Sequence, residues 1–265
     1  MKKKYNFHYE IMGENKKTTI LFLHGFMGSS QDWTDPMVEL KDRFRCLAID
    51  LPGHGKTKVL GDENSYTMEN TASALIHFLK HLNIRRCILV GYSMGGRLAL
   101  FCAFSFPLYF PKLIVESASP GLREEKERRE RRAHDDALSH KLQHMDFSDF
   151  LNEWYTQPLF GPLRNHQGFK DIIRKRVNNK PIELIKSLKG MGTGVQSSLW
   201  EKWARNRIPT LLIVGEKDYK FRGIAQQMIR ECSVAHLKII KDSGHTTHFE
   251  AKNMFINSIK DFISY

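Results

Sequence analysis

Short apolar runs recur along this chain, each one ending in polar, glycine-bearing sequence. They are Thr18 to Leu23, Phe44 to Ile49, Cys87 to Val90, Leu113 to Ser117, Thr210 to Val214 and Leu237 to Ile240. Runs this short, largely without apolar/polar alternation, suit strands buried on both faces of a mostly parallel sheet. Phe7 to Met12 reads as a further strand running into a turn at Gly13. Between the strands lie helical patterns. From Met68 to Leu82, apolar residues recur at Ala72, Leu75, Ile76, Leu79 and Leu82, spacings of three and four. Trp33 to Leu40 predicts a shorter helix, and Asn253 to Ile263 a closing one. Strands alternating with helices predict an α/β fold with helices on both sheet faces.

The pattern changes from Gly121 to about Asn206. That stretch is polar, strongly charged and helical in propensity, and it contains no convincing apolar strand. It reads as a helical cap inserted over the strand ends. The expected organisation is an α/β core built from 1–120 and 207–265, with a cap at 121–206.

Composition narrows the function classes. A chain of 265 residues with 41% hydrophobic and 26% charged residues can bury a sizeable core. No apolar stretch is long enough to cross a bilayer, and Met1-Lys-Lys-Lys-Tyr-Asn-Phe7 lacks the apolar centre of a secretion signal. A cytoplasmic protein without membrane insertion is expected. Cys46, Cys87, Cys102 and Cys232 stand singly, as reduced core thiols do, and no metal site or cofactor is expected. A net charge of +12 invites a nucleic-acid partner. Against that, the basic residues are spread out, and their densest run, Arg123 to Arg132, is interleaved with Glu124, Glu125, Glu127 and Glu130. A small anionic substrate and a monomeric chain are the expectation; no nucleic acid is.

Candidate chemistry centres on Gly91-Tyr-Ser-Met-Gly95, which fits G-x-S-x-G between an apolar run and a helix-forming segment. This is the nucleophile elbow of α/β-hydrolase folds, a sharp strand-to-helix turn that exposes a serine hydroxyl. Two later strand ends carry Asp218 and His245, completing the order Ser, Asp, His. A serine hydroxyl is inert at neutral pH. It needs an imidazole to take its proton and a carboxylate to hold that imidazole's tautomer. Asp242 is a rival acid, His248 a rival base, and His24 reads as a loop-organising side chain. The backbone N–H groups of Met94 and Phe26 are the expected oxyanion hole.

Spacing leaves the cationic residues open. Arg97 lies one helical turn beyond Ser93, equally suited to a ligand contact or a surface ion pair. Arg128, Arg131 and Asp135 share one helix face, which a self-paired solvated helix explains as well as a binding site. Trp154 and Arg176 are similarly ambiguous.

Taken together, several segments resemble one α/β-hydrolase family. They are His24-Gly-Phe-Met-Gly28 with Asp32-Trp33, Asp50-Leu-Pro-Gly-His-Gly55, Gly91 to Arg97 and Glu116-Ser-Ala-Ser-Pro-Gly-Leu122. The likeness continues through Arg128-x-x-Arg131-x-x-x-Asp135, Trp154-Tyr-Thr-Gln-Pro-Leu-Phe160, Arg176-Val-Asn-Asn179, Gly215 to Phe221 and Gly244-His245. The family is the 2-succinyl-6-hydroxy-2,4-cyclohexadiene-1-carboxylate synthases of menaquinone or phylloquinone biosynthesis. The first two motifs are common to many hydrolases; the cap motifs are more particular. Tyr219 departs from the small polar residue expected between the acid and Lys220. The resemblance implies a lyase that releases pyruvate, with Ser93 moving a proton. It also implies that Arg97, Arg131 and Arg176 bind substrate carboxylates. Tyr92 and Trp154 become pocket walls or donors, with Arg128 and Lys220 as further binding candidates. The alternative on the same triad is a carboxylesterase or carbon–carbon bond hydrolase working through an acyl-enzyme.

Overall fold

The computed structural model describes residues 4–264. Its strands are β1 (Tyr5–Asn6), β2 (Tyr9–Met12), β3 (Thr19–Leu23), β4 (Arg45–Ile49), β5 (Lys58–Val59), β6 (Ile88–Tyr92), β7 (Leu113–Glu116), β8 (Thr210–Gly215) and β9 (Ala235–Ile240). Seven of them form one sheet in the order β2-β4-β3-β6-β7-β8-β9, with β2 antiparallel and the other neighbours parallel. The strand expected from Phe7 to Met12 is shorter, Tyr9–Met12, and a separate strand that the sequence did not suggest precedes it. Tyr5–Asn6 pairs with Lys58–Val59 in a separate ribbon, while Tyr9–Met12 joins the main sheet.

The helices of the core are α1 (Thr34–Leu40), α2 (Met68–His81) and α3 (Met94–Ser105). The inserted segment adds α4 (Glu125–His144), α5 (Phe147–Trp154), α6 (Gly161–Arg164), α7 (Phe169–Arg176) and α8 (Pro181–Met191). Then follow α9 (Trp200–Ala204), α10 (Tyr219–Glu231), α11 (Thr247–Glu250) and α12 (Lys252–Ser264). Thr67 caps α2 by accepting the Asn70 N–H at 3.3 Å, which starts the helix where the periodicity begins.

Strand residues alternate between two cores. Leu21 and Leu23 pack with α2 and α3 on one face, Ile20 and Phe22 with Trp33, Phe255 and Ile259 on the other. A third cluster fills the cap around Leu142, Phe150, Phe160 and Leu184. The helix α9 does not follow the expected 121–206 boundary. Trp200 and Trp203 pack in the first sheet core, Trp203 Nε1 donates to the Met228 carbonyl at 2.9 Å, and the Leu199 N–H meets the Pro120 carbonyl at 2.7 Å. The two stems of the insertion therefore join near Pro120 and Leu199.

Candidate active site

At the end of β6 the chain turns sharply into α3. Ser93 takes φ +51° and ψ −109°, a conformation that costs a side-chain-bearing residue about 1–3 kcal/mol. Its N–H is held by the Glu116 carbonyl of β7 at 2.9 Å. The flanking glycines are obligatory by contact: a Cβ on Gly91 would lie 2.4 Å from the Gly95 carbonyl oxygen, and one on Gly95 only 2.3 Å from that of Leu23.

The three predicted triad residues meet. The Ser93 hydroxyl lies 3.2 Å from His245 Nε2, and His245 Nδ1 lies 2.8 Å from Asp218 Oδ2. Imidazole and carboxylate are both buried, with Phe221 and Tyr92 against the ring. The Asp218 carboxylate also caps α10. The rivals are placed elsewhere. Asp242 is exposed and faces Lys217 at 3.4 Å. His248 is bound through Nδ1 to the buried Glu116 carboxylate at 2.7 Å and stacks on Trp33. His24 organises its loop, accepting the Leu51 N–H on Nε2 at 2.9 Å.

One feature of this loop cluster escaped the sequence reading. Glu250 accepts the N–H groups of Gly244 and Thr246, the two residues flanking His245. Burial raises its pKa despite those donors. A glutamate five residues past a candidate histidine is the only sequence signal of that role.

Phe26 lines the same cavity as Ser93, and Met94 follows the serine in the chain. Met94 opens α3, and Phe26 sits in a turn closed by the Gly28 N–H on the Gly25 carbonyl at 3.0 Å. Among the described residues, neither the Phe26 nor the Met94 N–H has an acceptor. Two unpaired donors beside the serine can receive charge that develops on a substrate oxygen.

Above the serine is a cavity of ≈ 40 Å³, lined by Phe26, Tyr92, Ser93, Trp154, Arg176 and Phe249 among others. That is room for about a water molecule, far below the roughly 300–1,000 Å³ of small-molecule sites. Tyr92 is buried, its hydroxyl 3.1 Å from Thr246 Oγ1. Trp154 is half-buried and leans on Phe26, with ring centroids 5.6 Å apart.

The cations are sorted by their partners. Arg97 is buried, and its guanidinium donates to Gln196 Oε1 and the Met191 carbonyl, both at 2.7 Å, with no carboxylate bonded to it among the described residues. Burial, and then the Arg131 charge, lower its pKa to about 10, which still leaves it charged at neutral pH. Arg131 gives its Nε to Asp135 at 2.7 Å and is half-buried. Arg176 is not free, as a bare carboxylate ligand would be. It makes a buried bidentate pair with Asp32, both bonds 2.8 Å, and its Nε donates to the Tyr155 hydroxyl at 3.3 Å. Burial opposes both charges, yet each holds the other ionised: the Asp32 carboxyl titrates below its usual range and Arg176 above. Of the expected cationic ligands only Arg176 lines the cavity; Arg97, Arg131, Arg128 and Lys220 do not. Arg128 binds Glu125 and the carbonyls of Leu122 and Arg123. Lys220 is exposed, its ammonium over the Phe221 ring at 5.8 Å.

Comparison with known proteins agrees with this geometry. The model of the alpha/beta hydrolase family matches residues 20–254. A Bacillus subtilis protein provisionally named 2-succinyl-6-hydroxy-2,4-cyclohexadiene-1-carboxylate synthase is 35% identical over 95% of this chain and 92% of its own length. The Arabidopsis thaliana protein PHYLLO, chloroplastic, is 32% identical over 96% of this chain, which spans only 16% of that longer protein. The structure of MenH from S. aureus superposes with a TM-score of 0.92 at 32% identity, covering 97% of this chain and 98% of that one. The chain belongs to the alpha/beta hydrolase family and, within it, to the 2-succinyl-6-hydroxy-2,4-cyclohexadiene-1-carboxylate synthases.

Proposed function

We propose that this chain is a carbon–oxygen lyase of menaquinone or phylloquinone biosynthesis. It eliminates pyruvate from 2-succinyl-5-enolpyruvyl-6-hydroxy-3-cyclohexene-1-carboxylate to give 2-succinyl-6-hydroxy-2,4-cyclohexadiene-1-carboxylate. The observation that carries this reading is the near full-length identity of 35% to a relative of that name. No described helix is long and apolar enough to cross a membrane, and the proposal places the reaction in the cytoplasm.

Ser93, relieved of its proton by His245, removes the hydrogen next to the succinyl ketone. The electron pair enters a dienolate whose oxygen is received by the Phe26 and Met94 N–H groups. The ring double bond shifts, the carbon–oxygen bond to the enolpyruvyl group breaks, and the departing enol becomes pyruvate. The proton held on His245 returns to that leaving group, so no water is consumed and no acyl-enzyme forms.

Three carboxylates on the substrate suit the cations of α3 and the cap. Arg97 offers a buried charge that neutral acceptors leave uncompensated. Arg131 has guanidinium nitrogens beyond the Nε given to Asp135. Arg176, fixed by Asp32, keeps one further N–H on each Nη. The test is pyruvate release from this substrate by wild type and Arg131→Ala side by side. Release without a burst of acylation from an activated ester supports the lyase; no release by wild type, or full activity in the variant, contradicts the reading or the arginine's role respectively.

A further inference from the structure

The family-like segment Arg176-Val-Asn-Asn179 holds a residue to which the reaction assigns nothing. Asn179 is buried at the seam between cap and sheet. Its Nδ2 donates to the Met27 carbonyl at 2.8 Å and to that of Arg176 at 3.1 Å, and its Oδ1 accepts the Gly55 N–H at 3.3 Å. One amide from the cap thus grips two loops that follow sheet strands.

The gripped turn carries the oxyanion donor. Met27 directly follows Phe26 and sits at φ +61°, a left-handed conformation that a methionine does not hold without help. Three restraints supply that help. The Gly28 N–H closes the turn on Gly25 from within the loop. The other two belong to the cap: Asn179 on the Met27 carbonyl, and the Met27 side chain buried among Leu142, Phe150 and Leu184.

We infer that Asn179 is a positioning residue for the oxyanion hole, so that docking of the cap also fixes the turn that aims the Phe26 N–H. Cap closure and assembly of the oxyanion hole are then one event. The open enzyme admits substrate but does not stabilise the dienolate, and proton abstraction waits for closure.

The inference rests on the lyase reading, and the test separates the two. Asn179→Ala removes the amide; Asn179→Asp keeps the acceptor for Gly55 but loses the donor to Met27, and it serves if the alanine variant folds poorly. Both variants are expected to lose about tenfold or more in kcat for pyruvate release, with KM within about threefold of wild type, a fraction of the about 10²–10³ seen when an oxyanion donor is deleted. The rate at which a fluorophosphonate labels Ser93 is measured alongside, because its phosphoryl oxygen enters the same hole whatever the natural substrate. Labelling should slow by a similar factor. Unchanged labelling, or a raised KM with unchanged kcat, overturns the role of Asn179. Slowed labelling in the variants, beside a wild type that releases no pyruvate, overturns the lyase reading and leaves Asn179 in place.

Discussion

Replacing Asp32 with asparagine removes a charge from the seam while keeping the side chain's shape. In the wild type the Arg176 and Asp32 side chains are 6% and 2% exposed and joined by two 2.8 Å bonds. The variant leaves a buried guanidinium with the Tyr155 hydroxyl and one amide oxygen. Losing one partner of a buried pair costs about 3–5 kcal/mol, and the retained oxygen argues for the lower end. At about 2–4 °C per kcal/mol in a chain of this size, a 3 kcal/mol loss lowers the melting temperature by about 6–12 °C at neutral pH. The pH dependence gives a second, independent reading. Burial would raise the Asp32 carboxyl, but Arg176 outweighs it and holds the native pKa low. Such a carboxylate contributes its stability above the unfolded value near ~3.9 and loses it as pH falls through the native one. The gap between wild type and Asp32→Asn is therefore constant from neutral pH to about 5 and narrows below about 4. Thermal or urea unfolding at three pH values measures it. A variant melting within about 2 °C of wild type at neutral pH, or a gap that widens on acidification, would refute the account.

Other outcomes follow from the same geometry. Asp218→Asn should cost about 10⁴ in kcat by spoiling the imidazole tautomer, whereas Asp242→Asn, altering an exposed residue beside Lys217, should leave steady-state rates near wild type. Gly95→Ala places a methyl 2.3 Å from the Leu23 carbonyl and 2.5 Å from that of His24; loss of both activity and thermal stability is expected, and an active, equally stable variant would contradict the tight elbow. Arg131→Ala should raise KM about 10- to 100-fold, the range of a lost charge-assisted hydrogen bond, while Arg128→Ala should leave KM within about twofold because its guanidinium is already held by Glu125 and two carbonyls.

Features encoded over a few neighbouring residues could be read from the sequence. The helix Met68–His81 announces itself by apolar spacing and a threonine cap, and each triad residue stands where an apolar run meets a glycine. Contacts that span the chain could not be read. Tyr5–Asn6 is a strand only because Lys58–Val59 lies beside it, so a local reading, which starts the strand at Phe7, passes over it. Trp200 and Trp203 look like cap residues by position and become core residues by packing. Asp32 and Arg176 are 144 positions apart, Met27 and Asn179 152, and nothing near either member specifies the other.

The cations show why this distinction governs substrate recognition. A net charge of +12 and an arginine-rich helix are visible in the sequence, yet they do not say which charge awaits a ligand. Partners decide it. On α4, Arg128 and Arg132 share Glu125, and Arg131 takes Asp135; nearby Arg123 binds Glu231 across the surface. Arg176 is neutralised by Asp32. Arg97 differs, since its two bonds go to neutral oxygens in a buried site, where burial and then the Arg131 charge lower its pKa while Asp135 partly opposes them. Burying a charge without an opposite one is costly, so a carboxylate reaching Arg97 would gain more than one meeting a cation already paired. The density of positive residues therefore says less about where an anion could bind than the partners each cation already holds.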